Sequence, residues 1–150
     1  MRPARIEAGV MLIEALIGIL IFSIGILALL GMQGTAIKNT TDARYRSEAA
    51  FLATQIVGQM WVDMDQLPSY DTADGPAAYP PRDNWVNSVA TTLPGITVGG
   101  LRSPSIQVGP DPALGLVDRE VRVLVQWQQP GETDTRQVVI LNRIHSGSGV

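Results

Sequence analysis

Val10-Met11-Leu12-Ile13-Glu14 opens the stretch that decides the fold, residues Val10 to Met32, which read VMLIEALIGILIFSIGILALLGM. Glu14 is its one charged residue and Ser23 the one other polar residue. At ~1.5 Å per helical residue the stretch is roughly 35 Å long, enough to cross a hydrocarbon core of about 30 Å. Arg2 and Arg5 precede it, and the next basic residue is Lys38. The positive-inside rule keeps such an N-terminus in the cytoplasm and exports the chain beyond the span.

Three kinds of N-terminal segment compete for this pattern. A cleaved secretory signal has an apolar region of about 7–15 residues, shorter than this one. The one passable signal-peptidase site, Gly34-Thr35-Ala36, lies on the far side of a full span. A plain signal anchor explains the span, but neither Gly9 at its border nor the carboxylate of Glu14. A carboxylate at the centre of a spanning helix costs about 2.5–3.5 kcal/mol on insertion scales, and less near an interface. Glu14 is therefore a candidate functional residue in its own right.

The third kind is a processed anchor. The leader MRPARIEAG ends in Gly9, the apolar run begins at once, and Glu14 is its fifth residue. This arrangement resembles the class III (prepilin) signal of type IV pilins and pseudopilins. The resemblance implies a cut between Gly9 and Val10 by a prepilin peptidase, N-methylation of Val10, and a role for Glu14 as an assembly contact. The rest of the span is similar to the PilV group of minor pilins, through Ser23-Ile24-Gly25 and Gln33. Val10 and Met11 stand where phenylalanine and threonine are usual. The likeness covers about residues 1–35. It implies a leader at 1–9, a transmembrane helix at 10–34 and a periplasmic pilin-like domain at 35–150.

Beyond the span, no proline occurs from Gly34 to Met64. Tyr45, Ala49, Leu52, Ile56 and Met60 recur at the spacing of one helical face, and Ala53, Val57 and Met64 widen it. One helix is expected from Val10 to about Met64, its second half packing on a globular domain. Leu67-Pro68 is expected to end it, and the segment to Pro81 reads as loop. Asp63, Asp65, Asp71 and Asp74 there read as solvated loop charge, since a calcium loop needs more oxygen ligands in tighter order. Asp83 or Asn84 is expected to cap a short helix through Thr92, broken by Leu93-Pro94-Gly95. Ser105–Val108, Arg119–Gln128 and Gln137–Ile144 read as strands, with Val121, Val123, Val125 and Trp127 on one face. The expected class is α+β: a long helix laid on a small antiparallel sheet, with a frayed tail at Ser146–Val150.

The exported part shows no catalytic constellation. His145 has no second ligand near it in sequence, and no nucleophile elbow or phosphate loop occurs. With 150 residues, a formal net charge of −3 and no cysteine, the chain offers neither a basic field for nucleic acid nor a disulfide framework. No catalytic, cofactor-binding or metal-ligating set is expected, and no cofactor. The leading expectation is a minor pilin that acts through subunit contacts. Its partners would be the prepilin peptidase, other minor and major pilins, the inner-membrane assembly platform and the lipid bilayer. A pseudopilin of a type II secretion system shares the same leader, helix and glutamate. A signal-anchored periplasmic enzyme or binding module is the third possibility.

Overall fold

The computed structural model describes residues 4–100, 102–110 and 118–145. The leader residues 1–3 and the tail Ser146–Val150 lie outside them. The chain divides into two compact units, Met1–Ala43 and Arg44–Val150. One helix, α1 (Ala4–Val62), supplies all the described structure of the first and the opening element of the second. It begins six residues ahead of the expected Val10, so the end of the leader is helical as well.

In the first unit the hydroxyl side chains of α1 turn back on their own helix. Ser23 Oγ donates to the carbonyl of Ile19 at 2.7 Å, Thr40 Oγ1 to Ala36 at 2.9 Å and Thr41 Oγ1 to Ile37 at 3.0 Å. Thr35 makes the same bond to Gly31 more loosely, at 3.4 Å. A hydroxyl satisfied in this way needs no outside partner, which lowers its cost in an apolar setting.

The second unit is α+β. After α1 come a 3-10 turn (Met64–Tyr70), α2 (Pro80–Thr92), and strands β1 (Ser105–Pro110), β2 (Asp118–Gln128) and β3 (Thr135–His145). The strands form one antiparallel sheet in the order β1-β2-β3, with Ile106 opposite Val123 and Val123 opposite Ile140. His145 ends β3, its backbone opposite that of Asp118.

The core forms where the two expected stripes meet. Ala49, Leu52, Ala53, Ile56, Val57 and Met60 of α1 are buried, as are Val121, Val123, Val125 and Trp127 of β2. Tyr45 and Met64 pack against its edge. Each fully buried aliphatic side chain of this size contributes ~1.5–3 kcal/mol. Trp85 of α2 fixes the second helix to the first by donating Nε1–H to the carbonyl of Leu52 at 2.9 Å.

Two expected boundaries are corrected. Leu67-Pro68 does not end α1: the helix stops at Val62, and Pro68 lies inside the 3-10 turn with Leu67 buried. The fixed φ of proline, about −65°, falls in the 3-10 range, so Pro68 fits the backbone of the turn. Helix α2 starts at Pro80 rather than after Asp83 or Asn84. Two prolines in its first turn fit where backbone N–H groups have no intrahelical partner. Asp83 caps from inside instead: its carboxylate accepts the Tyr79 N–H at 2.8 Å, and its own N–H donates to the Tyr79 carbonyl at 2.9 Å.

Among the described residues, every buried core residue lies beyond Ala43. A fragment starting at Thr35 is therefore expected to be soluble and monomeric, and to melt cooperatively by circular dichroism. A fragment without secondary structure would show that the domain depends on partners for its fold.

Candidate functional site

Gly9, Val10 and Glu14 all lie in α1. A Cβ built at Gly9 meets nothing within 4 Å, so packing inside this chain does not call for a glycine there. What glycine does supply is weakness: it costs a helix about 1 kcal/mol relative to alanine. The bond between Gly9 and Val10 therefore sits at a point where the helix opens at lower cost.

Val10 and Glu14 are one helical turn apart and share a face, with Glu14 ~6 Å further along the axis. Helical side chains lean toward the N-terminus, so the Glu14 side chain inclines back over Val10. Both residues are exposed, and the large apolar side chains from Val10 to Met32 are 42–73 % exposed. None of this apolar window is covered by the protein itself. Its length and composition are compatible with a single-pass membrane anchor.

Two buried charged residues of the second unit, Asp71 and Arg82, sit around the segment between α1 and α2. Asp63, the residue after α1, accepts hydrogen bonds from the hydroxyls of Tyr70 (3.2 Å) and Tyr79 on one oxygen, Oδ2. The two rings meet edge to face at 5.0 Å. Burial pushes the Tyr70 hydroxyl well above its ordinary pKa, helped by the neighbouring Tyr79 and Asp63. Asp71 is buried and accepts three backbone N–H groups: Ala73 (2.8 Å) and Asp74 (2.9 Å) on Oδ1, and Val108 of β1 (2.8 Å) on Oδ2. Burial pushes its carboxyl up. The three N–H groups and the Arg82 guanidinium outweigh that and hold it below the ordinary carboxylate value. Arg82 is buried too, donating from Nη1 to the Asp71 carbonyl (2.9 Å) and from Nε to Asp83 (2.9 Å). A Cβ at Gly75 would collide with the Asp71 carbonyl oxygen, so this loop does require glycine.

Asp63 and Asp71 are thus structural acceptors rather than the solvated charges expected of them, while Asp65 and Asp74 are exposed. Among the described residues no group of three acidic, histidine or cysteine side chains is placed to hold a metal ion. One surface hollow is lined by Glu120, Leu141, Asn142 and Arg143, another by Gln107, Gly109, Glu120 and Arg122. The sequence signal for Asp71 was half present. Asp71-Thr72-Ala73-Asp74-Gly75 is a turn pattern in which an aspartate accepts nearby N–H groups. Its bond to Val108, 37 residues away, left no local trace.

Known proteins supply no further guide: no family model matches the chain, and neither does any curated protein or solved structure.

Proposed function

We propose that the chain is a minor pilin of a type IV pilus, cut after Gly9, N-methylated on Val10, and built into a fibre by contacts between subunits. The observation that carries this reading is a lone carboxylate, Glu14, in an exposed apolar helix, one turn past the Gly9–Val10 junction. A span that only anchors has no use for that charge. Before assembly the subunit crosses the inner membrane once, N-terminus in the cytoplasm and domain in the periplasm. It meets the prepilin peptidase and the assembly platform there, and other minor and major pilins in the fibre. No catalytic role is proposed.

Mass spectrometry of sheared fibres, from cells with and without the retraction motor, tests the reading. The subunit is expected in the fibre fraction with N-methylated Val10 as its first residue. A subunit absent from fibres but required for protein secretion would make it a pseudopilin. A mature chain that keeps residues 1–9 would remove the processed-anchor reading altogether and return the signal-anchored enzyme or binding module.

Processing has its own test. A peptidase needs the scissile bond out of the helix, and Gly9 lowers the cost of opening that turn by about 1 kcal/mol relative to alanine, a factor of roughly five. Gly9→Ala is expected to slow conversion of precursor to mature chain by about that factor in a pulse-chase read by intact mass. Cleavage at the wild-type rate would show that helix opening does not limit the step.

A further inference from the structure

A hollow of about 150 Å³ opens between α1 and α2. Gln55 and Gln59 line it from α1, Asn84 and Ser88 from α2, and Pro81 and Trp85 complete the wall. The members of each polar pair are four residues apart, so they stand one above the other on one helix face. The two helices are held together by the bond from Trp85 Nε1 to the Leu52 carbonyl, and Val86 and Val89 of α2 are buried beside it in sequence. The polar groups are therefore carried on packed helices rather than on a loop.

Three of these residues end in a carboxamide. Among the described residues, none of the carboxamides of Gln55, Gln59 and Asn84 bonds to another group of the chain. Elsewhere in the second unit such groups are answered internally: Gln126 Nε2 donates to Gln137 Oε1 at 3.3 Å, and Gln128 Nε2 to the Glu132 carbonyl at 2.6 Å. Ser88 gives its hydroxyl hydrogen to the Asn84 carbonyl at 2.9 Å, which leaves its oxygen able to accept. The lining thus presents amide donors and carbonyl acceptors side by side to a partner outside the chain.

No ionisable side chain lines the hollow. The start of α2 beside it does not suit an anion either. Pro80 and Pro81 lack the N–H groups that a helix start would present, and the Asp83 carboxylate adds negative charge to that turn. A helical peptide would need an apolar groove, and an extended one an open sheet edge. What matches the lining is a neutral molecule whose neighbouring groups each donate and accept, as the hydroxyls of a sugar do. The volume is below the roughly 300–1,000 Å³ of sites that enclose a drug-sized ligand, so it suits a single ring.

We infer that the hollow between α1 and α2 binds one ring of a neutral saccharide, its hydroxyls bonded to the carboxamides of Gln55, Gln59 and Asn84. The inference does not depend on the chain entering a fibre.

The test titrates maltose, cellobiose, lactose and diacetylchitobiose into the full chain in phosphocholine micelles, whose headgroups carry no sugar. The readout is the side-chain amide signals in a nitrogen–proton NMR spectrum. At least one of these sugars is expected to shift the signals of Gln55, Gln59 and Asn84 saturably. Those of Gln126 and Gln137, already bonded to each other, are expected to stay in place. About four hydrogen bonds at a solvent-open site give a dissociation constant of about a millimolar. Gln59→Ala is expected to weaken binding about fivefold, and Gln59→Ala combined with Asn84→Ala about twentyfold. Both side chains are exposed, so the circular-dichroism melt is expected to be retained. No saturable shift with any of these sugars, or equal affinity in the double variant, overturns the inference. So does a larger response of the same signals to inorganic phosphate or to a neutral glycine–serine peptide, because the occupant would then be an anion or a polypeptide.

Discussion

Fibres from cells expressing Glu14→Ala are expected to contain less than about a tenth of the wild-type amount of this subunit, at equal expression and with cleavage intact. Glu14 lies one turn into the proposed mature helix, near the N-terminal end of the apolar run; in the proposed orientation that end would border the cytoplasm, where the carboxylate could reach water at small cost. Inside a bundle of apolar helices that route closes, and an unpaired carboxylate becomes expensive. Cleavage after Gly9 would create the partner. The new amine of Val10, or that of a neighbouring subunit, is cationic at neutral pH and lies at the same depth. A subunit entering out of axial register would leave both charges unpaired, so the pair would set register as well as hold it. Removing one member of a buried pair costs ~3–5 kcal/mol, well beyond the ~1.4 kcal/mol that separates tenfold populations. Insertion, processing and the fold of the second unit depend on none of this and are expected to be normal. Wild-type incorporation of Glu14→Ala would show that the carboxylate is not an assembly contact.

Asp71→Ala is expected to lower the stability of the second unit by ~3 kcal/mol, and its melting temperature by more than about 10 °C. The carboxylate answers three backbone N–H groups and ties the loop after the 3-10 turn to β1. Alanine would leave the Val108 N–H unanswered on the outer side of β1 and free the loop that Arg82 clamps. Against a typical domain stability of about 5–15 kcal/mol the loss is large. Its pH dependence has a definite sign. The Asp71 carboxyl is held below its ordinary value in the folded chain. The unfolded chain, titrating at about 3.9, therefore binds the proton more readily. The stabilisation is complete above that value and is lost as the pH falls through the lower folded value. The difference in melting temperature between wild type and Asp71→Ala is thus expected to be constant from neutral pH to about 5 and to shrink below about 4. A constant difference down to about pH 2 would mean that the carboxylate charge contributes nothing.

The parts of the fold legible in the sequence are those with a period. Ala49, Leu52, Ile56 and Met60 announce a helical face because each neighbours the next on one surface. Val121, Val123, Val125 and Trp127 announce a strand whose two faces meet different surroundings. β3 was harder to read for face, because Val138-Val139-Ile140-Leu141 does not alternate: as an edge strand it buries neither face fully. The start of α2 carried a usable signal, the pair Pro80-Pro81, which suits a first helical turn better than a loop end. The roles of Asp63, Asp71 and Arg82 rest on contacts between distant segments, and no local pattern encodes a partner 16 or 37 residues away. The candidate site is the opposite case: Gly9, Val10 and Glu14 lie within two helical turns, so their spacing is readable without any fold.

The hydroxyls that turn back on α1 bear on how the helix carries load. Thr35, Thr40 and Thr41 bond to carbonyls between Gly31 and Ile37, which already serve the helix's own ladder. A carbonyl shared in this way holds its ladder bond less tightly, and helices tend to bend where it happens. Gly31 and Gly34 lie in the same turns and brace their surroundings with no side chain. The stretch from Gly31 to Thr41 holds three of the first unit's four back-bonded hydroxyls together with two glycines, and is therefore the section of that unit's helix that yields most readily. Sideways force would flex it there first. A hydroxyl would remain on hand to meet a carbonyl each time a ladder bond stretched, so the section can yield elastically rather than break.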